Sequence, residues 1–155
     1  MKKLLIVAMV FSTVFSSLAF SADKDQKVSA KKESSKNEAF NKVLAQYESL
    51  HKAFFDNDNA KVKANAQSLL DGIEKIKDKK ISKTLSYTKE KLTEISESDD
   101  IKANQEAMNI VSQGLFVVLD KHAPNKSYAR YYCPMVQKYW LQNITESDKV
   151  MNPYA

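Results

Sequence analysis

Residues 101–124 read IKANQEAMNIVSQGLFVVLDKHAP, and this stretch decides the fold class. Ile101, Met108, Val111, Leu115, Val118, Leu119 and His122 recur at helical spacing and share one face. Pro124 then ends the helix, because its ring clashes with the preceding turn and it lacks an N–H. The acid and hydroxyl groups from Ser96 to Asp100 stand just before it, where they can receive the free amides of a helix start.

Moving toward the N-terminus, the same period recurs three times. Phe40, Val43, Leu44, Tyr47, Leu50, His51, Phe54 and Phe55 predict a first helix from about Asn37 to Asp56. The turn Asp56-Asn57-Asp58-Asn59 offers capping side chains for a second helix, whose face carries Val62, Ala66, Leu69, Leu70, Ile73 and Ile76. After the lysine-rich turn 77–80, Ile81, Leu85, Thr88, Leu92 and Ile95 predict a third, with a narrower stripe. Four amphipathic helices with short turns predict an all-α, up-and-down four-helix bundle. Gly72 and Gly114, the two glycines, both lie inside helical patterns, so phosphate-cradling glycine loops are absent.

The first residues carry a different message. Lys2 and Lys3 precede an apolar run from Leu4 to Leu18, and Ala19-Phe20-Ser21 supplies small residues where a signal peptidase cuts. Residues 1–21 are therefore read as a secretory signal peptide cleaved after Ser21, and the protein as exported to the periplasm. The run is short for a membrane span and charged residues follow at once, so no span is expected after cleavage. Residues 22–36 are polar and lack aromatic side chains, which reads as a flexible leader. Residues 37–155 then form the working domain.

Cleavage loses two lysines and no acids, so the net charge falls from +5 to +3. Arg130 is the single arginine, and the lysines are spread among acids at helical spacing. That pattern describes a solvated surface and gives nucleic acid little to bind. Cys133 is the single cysteine, so no disulfide can form within the chain. In an oxidising compartment a lone thiol is buried, paired between molecules, or used as a ligand or reactive group.

Beyond Pro124 the periodicity stops. Ser127-Tyr128-Ala129-Arg130-Tyr131-Tyr132-Cys133-Pro134-Met135 is aromatic and extended in character, with Tyr139, Trp140 and Leu141 close behind and Asn152-Pro153-Tyr154 near the end. So dense an aromatic cluster is expected to pack on the bundle as a partly extended tail. At Tyr132-Cys133-Pro134-Met135, Trp140-Leu141 and Asn152-Pro153-Tyr154 the sequence resembles a bacterial family known as domain of unknown function 3347. Tyr47, Leu50, the Phe54–Asp58 stretch and the second helix look like that family's opening helices, so the resemblance spans roughly residues 38–155. It implies an exported domain, free-standing or appended to the adaptor subunits of copper and silver efflux pumps. The family pattern usually continues past Asn-Pro-Tyr to a second Cys-Gly; this sequence reads to Ala155.

A metal reading also follows from the residues. Proline disfavours helix in the residue before it, so Cys133 is expected to be extended. If Met135 continues that extension, thiolate and thioether point the same way and can share an ion. Soft sulfur donors favour copper(I) or silver(I), and His122 and Met151 could complete the set. Each residue has a structural alternative. Cys133 can be a small buried side chain, and Met135 and Met151 can fill gaps. His122 can cap its helix, His51 sits on a core-facing stripe, and Tyr131, Tyr132, Tyr139, Trp140 and Tyr154 can simply pack. No spacing supports a Cys133–His122 nucleophile pair, so no enzyme is expected. Two functions remain: a periplasmic protein that binds or handles copper(I) or silver(I), with an efflux adaptor or another envelope protein as the partner the resemblance implies, and an envelope interaction or scaffold module whose cysteine is structural.

Overall fold

A computed structural model describes residues 22–155, with side chains from residue 37 onward. The signal-peptide reading of residues 1–21 lies outside the described residues. Five helices and one hairpin follow in order: α1 (Ala22–Phe55), α2 (Asn59–Glu74), α3 (Lys79–Thr84), α4 (Ser86–Glu97), α5 (Ile101–Lys121), β1 (Tyr128–Cys133) and β2 (Lys138–Asn143). Two corrections to the sequence reading follow. The chain is mostly helical but not all-α, and the expected third helix is divided at Leu85. Thr84 Oγ1 donates to the Lys80 carbonyl and Ser86 Oγ to that of Lys83. Hydroxyls that compete for helix carbonyls in this way favour a break. The backbone of α1 also runs through residues 22–36, the segment read as a leader.

The starts of α2, α3 and α5 are fixed by aspartates, whereas α4 starts after Leu85 with no side-chain cap. Asp58 accepts from the Lys61 amide, Asp78 from those of Lys80 and Ile81, and Asp100 from those of Lys102 and Ala103. Each satisfies amides that a helix start leaves free. Asn57, with φ of 53°, makes the tight exit from α1, a left-handed conformation that asparagine tolerates.

Packing proceeds from α1 to α2, α2 to α4 and α4 to α5. The buried stripes are those the period indicated: Phe40, Leu44, Tyr47 and Leu50 in α1, Val62, Leu69 and Ile73 in α2, Leu92 and Ile95 in α4, and Met108, Val111, Leu115 and Val118 in α5. Phe55 is an exception, exposed at the end of α1. Gly114 lets α4 approach α5 closely, since a Cβ there would collide with Thr88 Oγ1. Among the described residues, no helix is long and apolar enough to cross a membrane.

The tail closes the remaining side. β1 and β2 pair antiparallel, from Tyr128 opposite Asn143 to Cys133 opposite Lys138. β2 lies against α5 and α1, and Trp140, Leu141, Gln142 and Asn143 are all buried. The expected aromatic tail is thus part of the core, and its extended character is a strand pair.

Candidate functional site at the hairpin tip

What seats the hairpin is a row of helix side chains. The amides of Tyr139, Leu141 and Asn143 point away from β1, where a lone strand would leave them unpaired. They donate to Asn109 Oδ1 at 2.9 Å, Tyr47 Oη at 3.0 Å and Glu48 Oε1 at 3.0 Å. Tyr47 Oη also lies 2.9 Å from Ser112 Oγ, so one phenol joins α1, α5 and β2. Complete burial pushes this phenol well above the ordinary tyrosine range, which keeps it a neutral donor and acceptor. Buried backbone amides without partners are costly, and these three are provided for.

The last residues are held against the same wall. His51 is buried, stacked parallel to Tyr47, with Nε2 2.7 Å from the Met151 carbonyl and Nδ1 3.7 Å from Glu48 Oε2. The Met151 amide donates to Gln142 Oε1 at 2.9 Å. Tyr154 donates its hydroxyl to the Tyr139 carbonyl at 2.7 Å and meets Trp140 edge to face. Burial raises the Tyr154 phenol above its usual range too. The structural readings of His51 and of the aromatic residues describe these contacts well.

At the far end of the hairpin sits Cys133, half-buried as the last residue of β1. The chain then turns through Pro134, Met135, Val136 and Gln137, with Gln137 at φ 55°. The thiol is lowered below its ordinary range, chiefly because the Val136 amide donates to the sulfur. Desolvation opposes this, while the Met135 amide, the Asn152 side chain and the charge of Lys138 add to it. All these donors favour the thiolate. Lys138 is itself anchored to Glu106 of α5 at 2.7 Å.

Of the four residues named from the sequence, Cys133 and Met135 lie at one end of the hairpin, and His122 stands apart from them at the C-cap of α5. Cys133 is extended, as the following proline implied, but Met135 is in the turn and does not continue the strand. Its amide faces the sulfur, while its side chain is 92% exposed. The Asn152 side chain reaches the Cys133 sulfur, while the backbone of Met151 is held by Gln142 and His51. His122 is the C-cap of α5, its amide on the Val118 carbonyl and its ring 3.4 Å from Thr84 Oγ1. Glu106 marks the Cys133 end of α5, and at 1.5 Å per residue His122 lies roughly 24 Å further along the helix. Among the described residues, no three His, Cys, Asp or Glu side chains are grouped to hold a metal. Sequence reasoning missed Asn109, Glu48 and the phenol of Tyr47 as the seat of the hairpin, and no local pattern marks them.

The family model described as "Protein of unknown function (DUF3347)" matches residues 43–127. The matched segment runs from α1 to the threshold of β1, so the Cys133 turn lies beyond it. No curated protein and no solved structure matched the chain. Since the match spans more than half of the chain, the protein belongs to the DUF3347 family.

Proposed function

We propose that the chain is an exported envelope protein in which an up-and-down bundle of α1, α2, α4 and α5 presents the Cys133 turn to a soft monovalent ion of the copper(I) or silver(I) class. The observation that carries this reading is the environment of the Cys133 sulfur. Two turn amides, the Asn152 side chain and Lys138 all favour the thiolate, which is the form that ligates. Met135 beside it is exposed enough to swing its thioether toward the same ion. An open site with two sulfur donors suits capture and transfer better than permanent storage. His122 and Met151 are left out of the proposed ligand set. Export rests on the reading of residues 1–21, and a role beside an efflux adaptor rests on the family resemblance.

A second reading, an envelope interaction or scaffold module, is supported by the exposed apolar side chains of Tyr132, Met135 and Val136 at the hairpin tip. Copper(I) titration under reducing conditions, against a competing chelator, separates the two. The metal reading expects stoichiometric binding, its loss in Cys133→Ser and weaker binding in Met135→Ala. No binding by the parent protein overturns it and leaves the interaction module.

A further inference from the structure

The outer edge of β1 is open, in contrast to the sealed edge of β2. The amides of Tyr139, Leu141 and Asn143 are spent on helix side chains, and the Ile144 amide donates inward to the Ser127 carbonyl. This phase places Ala129, Tyr131 and Cys133 in the pairs that bond to β2. The N–H and C=O groups of Arg130 and Tyr132 therefore point away from the sheet. Among the described residues no helix lies along that edge, and both residues are exposed.

Charge tells what such an edge would take. The Arg130 guanidinium is held over the ring of Phe116 at 4.6 Å and over that of Tyr139 at 3.9 Å. Stacking fixes the position of the cation without neutralising it. Among the described residues no carboxylate forms an ion pair with it, whereas Lys138 nearby has Glu106. Tyr132 adds a 47% exposed ring on the same face, tilted at 37° against that of Tyr139. At the Tyr128 end, Phe116, Leu119, Pro124 and Tyr128 line an open cavity of about 180 Å³, with Asp120 and Lys126 at its margin.

We infer that the outer edge of β1 is a docking site for an extended, acidic segment of a partner protein, which adds as a third strand and sets a carboxylate against Arg130. Strand addition satisfies the outward groups of Arg130 and Tyr132 by main-chain bonds, and the side chain opposite Arg130 gives the selectivity. A second copy of the chain is a poorer occupant. It would bring another unpaired Arg130 to a short edge, on a chain whose net charge is +5, or +3 without residues 1–21. The inference is independent of the metal reading and supplies the interaction reading with a surface.

The test is an NMR titration of the ¹⁵N-labelled chain with a capped decapeptide of alternating threonine and glutamate. The expected result is shifted Arg130 and Tyr132 amides that also exchange more slowly with solvent. A threonine–lysine peptide should leave them unchanged, and Arg130→Glu should weaken the acidic peptide at least tenfold. Tyr132→Pro removes one outward N–H and no β1–β2 bond, so it should weaken binding as well and serves if Arg130→Glu does not fold. Unmoved amides at millimolar acidic peptide, or equal binding of the lysine peptide, overturn the inference. Protection that rises with protein concentration in the absence of peptide also overturns it, and assigns the edge to a second copy. Arg130→Glu should leave copper(I) titration unchanged, so failure here and failure of the metal reading are distinguishable.

Discussion

The helices up to Lys121 and the hairpin after Pro124 are stabilised in different ways. In α2 and α5 the buried residues repeat at helical spacing, the caps are local aspartates, and each element could be anticipated from its own residues. In β2 successive residues are buried with no such repeat, and the partners of its outward amides come from helices far away in sequence. The Tyr47–Leu141 bond spans 94 positions. A helix satisfies its own backbone, whereas a strand at the seam of a bundle depends on what its neighbours present.

If the hairpin is core, damage there should rival damage to a helix. Trp140, 3% exposed and stacked on Tyr131, is the strongest probe. Trp140→Ala is expected to cost about 3–5 kcal/mol by urea denaturation, in the range of a large core truncation. A loss below about 1 kcal/mol would make the tail an accessory rather than a wall.

Tyr47→Phe isolates the hydrogen bonds of the seam. It keeps the ring and strands the Leu141 amide, so about 1–3 kcal/mol should be lost. Hydrogen exchange should locate the weakening at β2 and not in α2. Equal loosening of both would mean that the phenol supports the bundle as a whole.

Asp100→Ala samples the local side of the contrast. Removal of the acceptor for Lys102 and Ala103 should cost about 1 kcal/mol, confined by exchange to the first turn of α5. A larger loss would show that the helix ends, too, depend on distant contacts.

These contrasts explain which features were legible beforehand. The faces of α1, α2 and α5 were readable because helical spacing and burial agree along most of each face, Phe55 excepted. The break at Leu85 was missed because Leu85 itself is buried and keeps the period while its flanking hydroxyls act on the backbone. The hairpin reads from sequence as a partly extended tail packed on the bundle, for Pro134-Met135-Val136-Gln137 has none of the glycine or asparagine that marks tight turns. Gln137 takes the left-handed position instead. That turn also undid the in-line placement of Met135 with Cys133. The DUF3347 match, in turn, falls on the helices and not on the tail whose motifs first suggested the family.

Helical spacing, capping aspartates and the proline after Cys133 act over a few residues, so the chain alone determined the buried faces of the helices, the capped starts of α2 and α5 and an extended Cys133. The tertiary structure decided that Asn109, Tyr47 and Glu48 close one edge of the hairpin, that the other edge stays open beside Arg130, and that His122 stands far from the thiol. Those outcomes depend on distances between residues remote in sequence, and hydrogen bonds and charges act only where folding has brought their partners together.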